Sequence, residues 1–243
     1  MTNERVKTGI SGLDELLQGG FPQKSVVMVS GPAGSAKSLF SLQFLYNGAK
    51  YYNENGIYIT VEESRENLLR ACKNYNMDIE ALENEGRLYL IDLGGMMRDY
   101  LHSEEDLKKE LVGFGTLRDF LDNFIPQTTI KRLVIDSLTA VGIYYRNHEE
   151  LREELFRFCR YLKTQGLTSV LITESVNRSG DETRYGVESF MSDGFIALGL
   201  EKKEGEYRRS ISILKMRFTK HDSGAHPFII TDGGIEIASE IEM

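Results

Sequence analysis

Apolar and polar positions along the chain alternate between two periods. The run Ser25-Val-Val-Met-Val-Ser30 has strand character, and after a glycine-rich stretch Leu39, Leu42, Leu45 and Ala49 follow at helical spacing. The same rhythm predicts a strand over 56–61 and a helix through Leu68, Leu69 and Cys72. A short strand over 87–92 then precedes a long helical stretch carrying Leu107, Leu111, Phe114, Leu117, Leu121 and Phe124, which Pro126 stops. Next come a strand over 132–136, a helix with Leu151, Leu155, Phe158 and Leu162 on one face, and a strand over 169–173. Strands alternating with helices predict an α/β fold, a mainly parallel sheet flanked by helices. After Asp193 the texture changes to short apolar pieces over 194–200, 210–216 and 228–231, divided by glycines and charged turns. These predict an antiparallel C-terminal extension of the sheet edge. No repeat, low-complexity tract or linker interrupts the pattern, so a single domain over 1–243 is expected. Two stretches, 93–103 and 174–186, read as irregular loops, where function concentrates beside a parallel sheet.

Composition narrows the function classes. The chain is 41% hydrophobic and 27% charged, the balance of a soluble globular protein. It has no run of about 18 apolar residues, so no membrane span is expected. The opening Met-Thr-Asn-Glu-Arg-Val-Lys lacks the apolar stretch of a signal peptide, which makes the cytoplasm the expected location. Cys72 and Cys159 each fall on the apolar stripe of a helix and are expected as buried free thiols. Twenty-nine basic against 37 acidic residues give a net charge of -8, which argues against a dedicated nucleic-acid binder. Charge is uneven, however: 201–220 holds seven Lys or Arg against three Glu, and 62–85 holds seven acids against three bases. Such blocks are either solvated faces or surfaces that meet across a subunit boundary.

The strongest chemical signal is Gly31-Pro-Ala-Gly-Ser-Ala-Lys-Ser38, lying directly after a strand and directly before an amphipathic helix. It reads as a phosphate-binding loop, in which backbone N–H groups from Gly31 through Ala33, Gly34, Ser35, Ala36 and Lys37 to Ser38 and Leu39 cradle phosphates. In that pattern Lys37 reaches the β and γ oxygens and the Ser38 hydroxyl ligates Mg²⁺. Ala36 stands where the pattern asks for Gly, a substitution tolerable at negative φ and costly at positive φ. The metal's water shell needs a second carboxylate at the end of another apolar strand. Asp136 fits, with Asp92 as the competing candidate and a helix-capping role for Asp136 as the alternative. Glu62 and Glu63 end the 56–61 strand, where one can orient a water near a γ-phosphate; strand alternation favours Glu62 with Glu63 in support. An acidic pair at a helix start, beside Ser64, is the other reading. Lys215 and Arg217 share one side of a strand, with Thr219 and His221 continuing the parity if the chain stays extended. They suit either a solvated edge or neutralisation of a transferring phosphoryl group.

Together these residues resemble the KaiC-like branch of the RecA-type P-loop ATPases over nearly the whole chain. The lead-in Thr8-Gly-Ile-Ser-Gly-Leu-Asp-Glu-Leu-Leu17 precedes the phosphate loop. Glu62-Glu63, Ile135-Asp-Ser137, Thr173-Glu-Ser175, Arg184-Tyr-Gly-Val-Glu188, Ser192-Asp193, Leu214-Lys-Met-Arg217, His221 and Ile230-Thr-Asp-Gly233 follow in the family's order. The resemblance implies a RecA-like core, a homohexameric ring with ATP and Mg²⁺ between neighbouring subunits, and ATP hydrolysis, which the departures from the family's pattern at Ala36, Phe218 and Lys220 lead us to expect to be slow. It implies that Lys215, Arg217 and His221 act in trans and that Thr231 and Asp232 lie near the nucleotide. Phe218 and Lys220 depart from the family's usual Gly and small residue. Ser189, followed by Phe190, falls where a tandem-domain member carries a phosphorylated Ser-Thr pair, which raises autophosphorylation as an expectation to test. Three function classes compete on this reading. They are a ring ATPase signalling through nucleotide-dependent assembly with an unknown protein partner, a nucleotide-sensing scaffold resembling the archaellum motor's accessory ATPase, and a DNA recombinase, which the acidic balance disfavours.

Overall fold

The computed structural model describes residues 4–100, 112–145, 147–180, 183–186 and 188–238, and the side chains of 98–100, 188 and 189 lie outside that description. A short antiparallel pair, β1 (Arg5–Val6) and β2 (Phe21–Pro22), brackets α1 (Leu13–Leu16). The chain continues through β3 (Val26–Gly31), α2 (Lys37–Tyr51), β4 (Asn55–Thr60), α3 (Arg65–Asn74), α4 (Ile79–Asn84), β5 (Leu88–Asp92) and α5 (Leu93–Tyr100). Then come α6 (Phe114–Phe124), β6 (Ile130–Asp136), α7 (Leu138–Gly142), α8 (His148–Thr164), β7 (Thr168–Glu174) and α9 (Glu188–Met191). The C-terminal part is β8 (Gly194–Lys203), β9 (Glu206–Met216), β10 (Ala225–Thr231) and β11 (Gly234–Ile237).

Among the described residues, nine strands form one sheet in the order β11-β10-β9-β8-β3-β7-β6-β4-β5. Pairing is parallel from β8 through β5 and antiparallel from β11 to β8, as the change of texture after Asp193 implies. Alternation along the central strands sorts side chains to two cores. Val27, Val29, Tyr58, Val134 and Ile172 pack against α2, while Met28, Ile57, Ile59, Leu133 and Ile135 pack against the helices of the other face. Both cysteines are buried and free, and burial pushes each thiol up to about 12.

Local chemistry corrects several expectations. The stretch expected to be irregular from Leu93 is helical to Tyr100. Asp92 Oδ1 accepts from Gly95 N at 2.6 Å and caps it, which outweighs the poor propensity of Gly94 and Gly95. On the far side of the undescribed residues the described helix begins at Phe114, and the expected Leu107 and Leu111 lie outside the described residues. Strand β4 ends at Thr60, so Glu62 and Glu63 sit in a turn and strand alternation does not govern them. Thr60 Oγ1 donates to Glu63 O at 2.8 Å and accepts from Glu63 N at 3.1 Å. Likewise β9 ends at Met216, and Phe218 takes φ 60°, which breaks the parity expected to run on to Thr219 and His221.

Candidate active site

The phosphate loop leaves the C-terminal end of β3 and enters α2 at Lys37, as the spacing requires. Gly31 packs so tightly that an added Cβ would lie 2.4 Å from Ser35 Oγ and 2.6 Å from Leu198 O. Gly34 adopts φ 82°, and Ala36, the helix N-cap, adopts φ 74°, ψ 29°. Ala36 thus occupies the left-handed region that costs an L-residue of order 1 kcal/mol. Ala36 and Phe218, the two places where the resemblance leads to the expectation of Gly, both take positive φ. Lys37 Nζ donates to Gly31 O at 2.9 Å and to Pro32 O at 3.0 Å. Burial lowers the pKa of Lys37, opposed by the negative charges of Asp136 and Glu174. Arg209, on β9, holds the loop from its other side through Nε to Gly34 O at 3.1 Å.

Asp136 closes β6 beside this loop. Its Oδ2 accepts from Ser38 Oγ at 2.9 Å and from Tyr58 OH at 2.5 Å. The next helix is capped by Ser137, whose Oγ accepts from Ala140 N, so Asp136 is free of the capping role. Asp92 is spent on capping α5 and drops out as its rival. A hydroxyl and a carboxylate on one side of a phosphate cradle suit Mg²⁺, which binds few protein oxygens and fills its octahedron with water and phosphate. Ser35 Oγ, buried and without a hydrogen-bond partner among the described residues, adds a polar atom within the loop.

Glu62 and Glu63 lie beside Asp136 in the turn after β4. Glu62 Oε2 accepts from Ser137 Oγ at 3.1 Å, while Glu63 is raised in pKa by burial and then by the charge of Asp136. Ser64 caps α3 through Asn67 N, which leaves both carboxylates off the helix start. Thr231 and Asp232 form the β10–β11 turn at this same end of the sheet. Gln43 of α2 holds that hairpin, accepting from Ile235 N at 2.8 Å, and Asn76 Nδ2 donates to Asp232 O at 3.3 Å.

Lys215 and Arg217 are elsewhere. Arg217 N donates to Asp193 O and Asp193 N to Val26 O, which sets Arg217 level with the first residue of β3. Gly31 lies five residues farther along that strand, about 16 Å away at roughly 3.3 Å per residue. The Arg217 guanidinium bonds Asp193 Oδ1 at 3.3 Å and Lys215 Nζ bonds Ser192 O at 2.7 Å. Burial, then the neighbouring Arg217, lowers the pKa of Lys215. Thr219 Oγ1 accepts from Arg5 at 2.6 Å, and His221 Nδ1 meets Asp222 O at 3.1 Å in the same loop. The sequence-expected residues therefore form two groups, at opposite ends of one sheet.

A family model for the KaiC ATPase matches residues 6–242. The chain belongs to the KaiC ATPase family. It is 36% identical over 236 residues to the circadian clock oscillator protein KaiC of Synechococcus elongatus, covering 96% of this chain and 44% of that protein. KaiC of Parathermosynechococcus lividus is 37% identical over 232 residues, 95% of this chain and 42% of that one. The chain thus spans less than half the length of these relatives. A crystal structure of a KaiC-like protein from the archaeon Pyrococcus horikoshii superposes with a TM-score of 0.82 at 33% identity, covering 97% of this chain and 99% of that one. Among the described residues, no helix is long and apolar enough to cross a membrane.

Two residues around this KaiC-family site escape sequence reasoning, and a third, Glu174, enters it only within Thr173-Glu-Ser175, with no role. Tyr58 and Arg209 sit inside strands with no local mark of their contact with Asp136 and Gly34. Glu174 carries a usable signal, because it ends β7 opposite Gly31 as Asp136 ends β6. Ser189, the expected acceptor of a phosphate, lies outside the described side chains.

Proposed function

We propose that this KaiC-family chain binds MgATP and hydrolyses it slowly at sites shared between neighbouring copies of a homohexameric ring. In this reading nucleotide state alters subunit contacts and so gates a protein partner in signalling or regulation. The observation that carries it is the separation of Lys215 and Arg217 from the phosphate loop by the length of the sheet. Complementary patches at opposite ends of one molecule join head to tail, and a head-to-tail contact that closes makes a ring.

In the shared site the 31–39 loop and Lys37 hold the phosphates. Ser38 and Asp136 would hold Mg²⁺, which would supply neutralisation of phosphate charge. Glu62 and Glu63 orient a water whose oxygen bonds to the γ-phosphorus as the bond to the β-bridging oxygen breaks; the water's proton passes to carboxylate or phosphate oxygen. Lys215 and Arg217 of the next copy meet the charge that develops, with Thr219 and His221 beside them and Thr231 and Asp232 near the nucleotide. Strain at Ala36 supports slow turnover. The same strain also favours a second reading, a nucleotide-sensing scaffold in which hydrolysis is incidental.

Light scattering and phosphate release, measured together with MgATP and MgADP on wild type and Arg217→Ala, test the proposal. A hexameric mass with turnover that falls about a thousandfold in the variant supports a shared site with a finger in trans. A monomer that binds ATP without turnover contradicts it. Ring formation with unchanged phosphate release in Glu62→Gln favours the scaffold.

A further inference from the structure

Asp193 joins three elements at the end of the sheet that carries Arg217. Its carboxylate, 8% exposed, accepts from Lys163 of α8 at 2.7 Å, from Val26 N at 3.0 Å and from Arg217 Nη1 at 3.3 Å. Its backbone oxygen accepts from Arg217 N at 2.9 Å, so residue 217 is gripped at main chain and side chain together. Lys163 takes the closer pairing and leaves Arg217 the longer one. The guanidinium is 50% exposed, and among the described residues its remaining N–H groups carry no protein hydrogen bond. It also lines a groove of about 540 Å³ with Lys163, Phe156 and Phe190, which leaves it reachable from outside the chain.

We infer that Asp193, balanced by Lys163, is a positioning residue that aims Arg217 at the neighbouring copy's phosphates. The inference rests on the trans role of Arg217 proposed above. A free arginine surveys many rotamers, and one tethered by a single N–H presents its other donors in a restricted direction, which lowers the ordering cost at the moment of transfer. The tether must be weak enough to leave those donors unclaimed. Lys163 provides this by occupying the carboxylate at 2.7 Å, so that Asp193 orients Arg217 without drawing it inward.

A double-mutant cycle on the full chain tests it, with kcat, KM for MgATP and ring mass measured for Asp193→Asn, Lys163→Met and Lys163→Arg, each with Arg217 intact and as Arg217→Ala. Asp193→Asn keeps an oxygen for Val26 N and removes the charge. The expected result is a kcat lower by about tenfold, the weight of one charge-assisted hydrogen bond, with KM and ring mass unchanged. Lys163→Met, at a partly exposed helix end, is expected to lower kcat similarly and Lys163→Arg to restore it. None of the three should lower the residual rate of Arg217→Ala further, because they act through that side chain. Equal losses in both backgrounds, or wild-type kcat in both Asp193→Asn and Lys163→Met, would overturn the inference while leaving the shared site standing. If Arg217→Ala alone turns over like wild type, the shared-site reading falls and this inference with it.

Discussion

The Ser38 hydroxyl lies 2.9 Å from Asp136 Oδ2, across 98 residues of sequence, and Tyr58 OH gives the same oxygen a second hydrogen bond at 2.5 Å. Two donors on one oxygen fix the carboxylate's orientation before any metal arrives. Tyr58 is fully buried, so Tyr58→Phe removes one hydrogen bond without opening a cavity. It is expected to cost about 1 kcal/mol of stability and to raise the Mg²⁺ concentration needed for half-maximal ATP binding. Asp136→Asn should raise that Mg²⁺ requirement far more. Mg²⁺ titrations with a fluorescent ATP analogue, beside urea unfolding, give both numbers.

Ala36 holds φ 74° at the entrance to α2. Glycine pays no Cβ penalty there, so Ala36→Gly is expected to stabilise the fold by about 1 kcal/mol. An Ala→Gly change in a helix interior would act in the opposite direction. The same change restores the spacing pattern of the phosphate loop and is expected to raise turnover. Thermal melts and phosphate release check the two effects, and a fall in melting temperature would show that Ala36 is unstrained.

The guanidinium of Arg132 is fully buried beneath α2. It pairs with Glu54 at 2.5 Å and donates to Phe44 O and Lys7 O, tying β6 to α2 and to the N-terminal lead-in. Arg132→Met strands Glu54 and both carbonyls, and breaking a buried pair from one side costs about 3–5 kcal/mol. Urea unfolding should show that loss, while any variant that stays folded retains its nucleotide affinity, since Arg132 touches none of the phosphate loop.

Burial, and secondarily Asp136, raises the pKa of Glu63 above its ordinary 4.5. A raised value means that acidification protonates Glu63 sooner than an ordinary glutamate. Turnover that depends on its carboxylate is expected to fall on acidification with a midpoint above 4.5, and Glu63→Gln should remove that limb of the pH profile. Stability runs the other way, because the fold prefers the protonated form and loses that preference as pH rises through the folded-state value.

Much of this was legible in the sequence, for physical reasons that differ between elements. The strand, loop and helix around Lys37 were readable because apolar period, glycine pattern and Lys-Ser pair coincide within 25 residues. Asp136 was readable because parallel strands deliver their last residue to the same edge. Capping defeated the reading at Asp92, where one carboxylate turns a glycine-bearing stretch into helix. The turn clamped by Thr60 defeated strand parity at Glu62 and Glu63. Tyr58, Asp193 and Arg209 depend on cross-strand register, which no local pattern encodes. The sign of φ at Ala36 and Phe218 was equally invisible.

The most direct test of the central claim is complementation between two inactive variants. Lys37→Ala disables the phosphate loop and Arg217→Ala disables the finger, so each alone should release little phosphate. When the two are unfolded together and refolded as mixed rings, interfaces that pair an intact loop with an intact finger reappear. At equal mixing they number about a quarter of all head-to-tail contacts, so phosphate release is expected to recover to about a quarter of the wild-type rate. Recovery no greater than the sum of the two variants alone would contradict a site shared between copies.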